Sequence, residues 1–163
     1  MRLGLVALFI LGSCYGRCAF AADQPQAIGE AFCKARLAND EQATLALLAP
    51  SLVEAISEAK ARSEVIGKAT PNEKPPFGDG IPFQAFPDVA QGCEAGGVHE
   101  GAGRFEVEVN YLFADSPNAN WTDRLKLVAD GERLLIDDVI YVNVANGEPD
   151  LGLRRVLFEA FDQ

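Results

Sequence analysis

The chain has 163 residues, 48% apolar and 23% charged, which suits one globular domain. Its 24 acidic and 14 basic residues leave a formal charge of −10. That balance argues against nucleic acid and anionic lipid surfaces as partners, and leaves room for a basic protein partner.

Residues 1 to 21 read as a signal peptide: Arg2, an apolar run from Leu3 to Leu11, then small residues. The run is too short to span a bilayer, so the mature protein is not expected to be membrane-embedded. A single domain should fill residues 22 to 163. Two exit signals compete. Leu11-Gly12-Ser13-Cys14 has the form of a bacterial lipobox, and Ala19-Phe20-Ala21 that of a soluble-export cleavage site. Cleavage after Ala21 leaves Cys33 and Cys93, an even pair that reads as one disulfide in an oxidising compartment. Lipidation at Cys14 would strand one thiol among Cys18, Cys33 and Cys93. Parity therefore favours a periplasmic or secreted soluble protein over a Cys14 lipoprotein. Losing Arg2 and Arg17 from the 14 basic residues leaves 12 against 24 acids, a mature charge of −12.

From Pro25 to Leu37, Ile28, Ala31, Phe32 and Ala35 share one face at helical spacing. Asn39 or Asp40 can cap a short second helix through Leu48, closed by Pro50. Ser51-Leu52-Val53-Glu54 has the form of a capping box, opening a helix that buries Leu52, Ile56, Ala59, Ser63 and Ile66 and ends near Gly67. Thr70 to Asp88 carries prolines 71, 75, 76, 82 and 87 together with Phe77, Phe83 and Phe86. Prolines exclude a regular helix there, and the aromatics predict an ordered flap over one mouth of the fold.

Beyond Gln91 the apolar period changes from 3.6 to 2. Gln91 to His99 is a weak, glycine-rich strand, and a turn follows at 100–103. Phe105, Val107, Val109, Tyr111 and Phe113 then alternate along a second strand. Trp121 to Ala129 and Glu132 to Val142 form a hairpin around Asp130-Gly131. Asn146 to Glu148 is a turn, and Asp150 can cap a final helix burying Leu153, Val156, Leu157 and Ala160. Helices first, then consecutive antiparallel strands, then a short C-terminal helix make an α+β fold with a sheet of about four strands.

The simplest hairpin register sets Leu127 opposite Leu134, Leu125 opposite Ile136, and Asp123 opposite Asp138. A three-residue loop sets Asp137 opposite Asp123 instead. Either way two carboxylates meet, and away from water they must share a proton, bind a cation or take an arginine such as Arg104, Arg154 or Arg155. Asp123 and Asp138 are thus the candidate catalytic residues. His99, the single histidine, has no thiolate cluster or second imidazole beside it in sequence, so no metal site is expected and it reads as a surface residue. No nucleophile elbow, phosphate loop or dinucleotide fingerprint is present, so no cofactor is expected.

Pro75-Pro76-Phe77-Gly78-Asp79-Gly80-Ile81-Pro82-Phe83, then Trp121-Thr122-Asp123, then Leu135-Ile136-Asp137-Asp138-Val139-Ile140-Tyr141 before a short helix, carry a likeness. Over residues 25 to 160 the chain resembles small exported bacterial proteins of the nuclear transport factor 2-like (cystatin-like, cone-shaped) superfamily. The resemblance implies a strongly curved antiparallel sheet wrapped around helices, with a pocket between them. It implies that Asp123, Asp138, Tyr111 and Trp121 look into that pocket. The superfamily holds isomerases and dehydratases that use an aspartate with a histidine or tyrosine, and also binding members without catalysis, so fold alone does not choose.

The leading expectation is an exported, non-enzymatic binding domain for a small molecule or peptide end. Its pocket candidates are Tyr111, Trp121, Asp123, Asp138, Phe77 and Phe83. An acid–base enzyme of the isomerase or hydrolase kind, using Asp123 or Asp138, is the alternative. An acidic inhibitor or immunity-type protein is the third reading.

Overall fold

The computed structural model describes residues 24–101, 104–142 and 151–162. The expected signal peptide, Cys14, Cys18, the turn at 146–148 and the Asp150 cap lie outside the described residues.

Three helices lead. Helix α1 (Gln24–Leu37) buries Gly29, Phe32, Cys33 and Ala35. Asp40 caps α2 (Glu41–Leu45), its carboxylate accepting the Ala43 amide at 2.9 Å. Pro50, expected to close the second helix, instead opens the third. It stands in the first turn of α3 (Pro50–Ala69), where a missing N–H costs nothing. The capping box expected at Ser51 and Glu54 does not form. The N-cap is Ala49 without a side-chain bond, and Ser51 Oγ instead accepts from Arg154 Nη2 at 2.8 Å. Leu52, Ile56, Ala59 and Ser63 are buried on one stripe as expected, and the helix continues past Gly67 to Ala69.

The sheet is a five-stranded antiparallel meander: β1 (Gly92–Gly101), β2 (Arg104–Leu112), β3 (Trp121–Asp130), β4 (Arg133–Tyr141) and β5 (Leu151–Gly152). The fifth strand exceeds the expected count because two residues are too few to show a period. Helix α4 (Leu153–Glu159) follows directly and buries Leu153 and Leu157. Segment 47–49 runs beside β4, with the Ala49 amide on the Ile136 carbonyl at 2.8 Å and the Ile136 amide on the Leu47 carbonyl at 2.9 Å.

The β3–β4 register differs from both expected ones. Asp130 pairs with Arg133, so the loop is Gly131-Glu132, not Asp130-Gly131. Gly131 takes φ 63° at the first loop position, the place a type II′ hairpin reserves for glycine. Leu127 faces Ile136 rather than Leu134, Leu125 faces Val139 rather than Ile136, and Lys126 faces Asp138, which leaves Asp137 as the extra residue of a β-bulge. Beyond the bulge Asp123 pairs with Tyr141. The expected meeting of Asp123 with Asp138 or Asp137 therefore does not occur. Strand alternation puts Asp138 on the face opposite Val139 and Tyr141.

One core unites Phe32 of α1, Leu52 and Ile56 of α3, Val107 and Val109 of β2, Leu125 of β3, Ile136 and Val139 of β4 and Leu153 of α4. Cys33 and Cys93 form the expected disulfide, with Cα atoms 5.2 Å apart, tying α1 to the start of the sheet. The irregular segment 70–91 is packed rather than free: Ile81 and Phe83 are buried in the core. Among the described residues no helix is long and apolar enough to cross a membrane.

Candidate functional site

The pleat of β2 and β3 gathers one aromatic and acidic corner. Val109 pairs with Asp123 and Tyr111 with Trp121, so all four side chains share the face that packs on the helices. The Trp121 ring stacks on Tyr111 at 4.7 Å between centroids, and Phe86 meets Trp121 edge-on at 5.2 Å.

Asp123 is a fully buried carboxylate at 0% exposure. Its Oδ2 accepts the Ala85 amide at 3.0 Å and Trp121 Nε1 at 3.3 Å. Burial raises its pKa to about 6, against the lowering pull of hydrogen bonds from Ala85, Trp121 and the Val142 amide. Its Oδ1 has no partner among the described residues, and neither do the Tyr111 hydroxyl or Arg36 Nε. Burial first, and then the Asp123 charge, push the Tyr111 phenol well above its ordinary range, while the Arg36 guanidinium pulls it down. The phenol thus feels both an anion and a cation.

Arg36 arrives from the last turn of α1. Its Cζ lies 5.2 Å from the centroid of the Phe83 ring, and Nη2 donates to Gln84 Oε1 at 3.4 Å. Gln84 Nε2 in turn donates to the carbonyls of Phe86 at 2.7 Å and Asp88 at 2.9 Å, folding this segment back on itself. The Tyr141 hydroxyl holds the Pro82 carbonyl. Between the end of α1, this segment and β2 lies a cavity of about 420 Å³, with Arg36, Asn39, Gln84, Pro87, Val89 and Tyr111 in its walls.

The chain matches no protein-family model, no curated protein and no solved structure.

Of the residues expected at a site, Tyr111, Trp121 and Asp123 come together, Phe83 is buried in the same core beneath Arg36, and Tyr111 is the one of these that stands in the cavity wall. Asp138 and Phe77 do not join them. Asp138 accepts the amides of Val139 at 2.9 Å and Arg154 at 3.1 Å, so it caps the start of α4 from a neighbouring strand. Burial is the first cause of its raised pKa. Phe77 packs edge-on against Phe161 at 5.8 Å, beside α3 and α4. Arg154 serves neither Asp123 nor a carboxylate pair. It bonds Asp137 Oδ1 at 2.7 Å and the Asp137 carbonyl at 2.7 Å. Arg155 pairs with Glu159 at 2.7 Å. His99 is exposed and pairs with Glu108 at 3.0 Å, a contact that heads the causes lowering the Glu108 pKa. Among the described residues no three potential metal ligands gather.

Arg36 and Gln84 belong to the site and carry no signal in the sequence. An arginine in the last turn of a helix reads as a complement to the helix dipole, and a lone glutamine in a proline-rich run reads as solvated. A wider groove of about 700 Å³ crosses the disulfide between α1 and β1, but its walls hold none of the unpartnered buried atoms.

Proposed function

We propose that the protein is an exported, non-enzymatic binding domain whose site is the cavity beneath the 70–91 flap. The observation that carries this reading is Tyr111: 2% exposed, in the cavity wall, with a hydroxyl that no described residue satisfies. A buried polar group without a partner is costly, so a protein keeps one where something else supplies the bond. The size and mixed apolar and polar lining suit a small molecule. Export rests on the leader pattern, together with a disulfide that suits an oxidising compartment.

The cone-shaped reading draws support from two irregularities in the sheet, one between Ala95 and Val98 of β1 and one at Asp137 of β4. Bulges bend strands and increase their twist, and so would curve this sheet around α1 and α3. Phe32, Leu52, Leu125 and Ile136 fill the interior, so a ligand would sit at the mouth rather than in the depth of such a cone.

Trp121 is the single tryptophan of the chain, so its emission reports on the site. A screen of small molecules and short peptides should yield compounds that change Trp121 emission saturably and raise Tm, with both effects lost in Tyr111→Phe. A saturable change that survives in that variant refutes this site.

A second reading is an acid–base enzyme with Asp123 as the base, since its pKa of about 6 lies near working pH. Asp138, committed to the start of α4, drops from that reading. Turnover that disappears in Asp123→Asn while binding persists would select it.

A further inference from the structure

The strand order leaves β1 with a single neighbour, β2. At ten residues it is the long edge of the sheet, whereas β5 at the opposite edge has two. An antiparallel edge strand points the N–H and C=O of alternate residues away from the sheet, where another strand can take them. Native edges are blunted by lysine, proline, a bulge or a cover. β1 has neither lysine nor proline. Its bulge lies between Ala95 and Val98. There the Gly97 amide donates to Glu108 Oε2 at 3.1 Å, and Gln26 Nε2 donates to the Ala95 carbonyl at 3.2 Å, so the bulge is served by its own neighbours. Before it, Gly92 to Ala95 pair regularly with Val109 to Leu112, and no described strand lies on their outer side.

That same stretch walls the groove of about 700 Å³ that crosses the disulfide. Cys93 and Glu94 stand on one side of it, and Glu30, Lys34 and Leu37 of α1 on the other. Leu37 is 48% exposed, an apolar side chain without a cover. Glu30, Lys34 and Glu94 are exposed, and none has an ion-pair partner among the described residues. Free carboxylates therefore outnumber the free ammonium here, on a chain of formal charge −10. Strand alternation sets Cys93 and Ala95 toward the helices, with Tyr111 and Val109, and Glu94 toward the outer face, with Asn110.

We propose that this edge docks a short, basic, extended peptide segment, which pairs its backbone with Gly92–Ala95 as a further strand. Main-chain bonds to the edge hold such a segment, and its alternate side chains select it. The row on the helix side meets Leu37 and the disulfide, and is apolar. The row on the outer face stands beside Glu94, and is lysine or arginine, with Glu30 adding to the attraction at the rim. A second copy of this chain suits the edge less well. It would lay the same carboxylates along both sides of the seam and bring together two chains of charge −10.

The probe is a short peptide alternating lysine and valine, with both ends blocked, titrated into the disulfide-bonded protein. Its glutamate–valine counterpart and a lysine–valine version N-methylated throughout are the controls. The lysine peptide should bind saturably and slow hydrogen exchange across Gly92–Ala95. It should also slow reduction of the Cys33–Cys93 bond by dithiothreitol, because it covers the groove. It should bind about tenfold more tightly than the glutamate peptide, and more weakly as salt rises. N-methylation removes the backbone donors and should abolish both protections. Glu94→Lys, at an exposed position, should weaken binding about tenfold with the circular dichroism unchanged. Should that variant fail to fold, Glu30→Lys on the facing helix reads the same attraction. Binding that leaves β1 exchange untouched, or that survives N-methylation, overturns the added strand. Equal affinity for the lysine and glutamate peptides overturns the basic partner, and no binding overturns both. Sedimentation that shows a dimer with β1 protected in the absence of peptide assigns the edge to a second copy, and also overturns the proposal.

Discussion

The backbone amide of Ala85 donates to the Asp123 carboxylate at 3.0 Å, joining the proline-rich segment to the inner face of β3. The same carboxylate also receives Trp121 Nε1. A single buried acid thereby ties the proline-rich segment and the Trp121 ring to one strand, and its protonation matters to the whole molecule.

Burial raises Asp123 to about 6 in the folded protein, whereas the unfolded chain returns it to about 3.9. Between those values the folded state holds more of this proton. The contribution of Asp123 to stability is then fullest below about pH 4, declines as pH rises to about 6, and is flat above. This group alone should lower the unfolding free energy by roughly 2–3 kcal/mol across the window. Urea melts of wild type and Asp123→Asn at a series of pH values read it as a difference, and identical slopes in the two proteins would count against it.

The disulfide closes a loop with a sequence separation of 60 residues. In the chain-entropy picture that constraint is worth about 4 kcal/mol, through the unfolded state. Replacing both Cys33 and Cys93 by serine, which leaves no lone thiol, should lower the urea midpoint accordingly. An unchanged midpoint would mean the unfolded chain is held compact by other means.

Asp138 caps α4 from β4 through the Arg154 amide at 3.1 Å. Asp138→Ala should cost about 1 kcal/mol, and Asp138→Asn should recover most of it, since an amide oxygen caps nearly as well. Hydrogen exchange at the first turn of α4 should quicken in the alanine variant. Equal exchange in all three proteins would remove the capping role.

Helix α1 crosses the sheet at Gly29, where an added Cβ would stand 2.7 Å from Val107 Cγ1 and 2.9 Å from Ala95 Cβ. Alanine improves helix propensity by about 1 kcal/mol, and overpacking costs about 1–3 kcal/mol, so Gly29→Ala should be destabilising. Thermal melts decide the sign: a raised Tm means α1 rides further from the sheet.

Much of this arrangement is legible in the residues. The alternation from Phe105 to Phe113 predicts a strand with one buried face, and Val107, Val109 and Tyr111 are buried. Asp40 before Glu41 announces a cap that forms. Cysteine parity selects the pair that is bonded. Other features depend on distant chain. The Asp137 bulge carries no glycine to mark it, and its position is held by Arg154, which follows β4 by way of β5. Ser51 has the right spacing for a cap, yet the Arg154 guanidinium takes its hydroxyl. Pro50 suits both the end of one helix and the start of another, and local chemistry does not distinguish them. For the candidate site, Tyr111, Trp121 and Asp123 stand out as aromatic and acidic interruptions of strands. Arg36 and Gln84 reach it only through tertiary packing.

The bond between Cys33 and Cys93 makes a covalent ring of everything between them, and the whole of residues 70–91 lies on that ring. A protease that cuts the exposed stretch around Pro87 and Val89 would therefore release nothing. The nicked protein would keep its intact mass apart from one added water, and would fall into two fragments only when a reductant opens the ring.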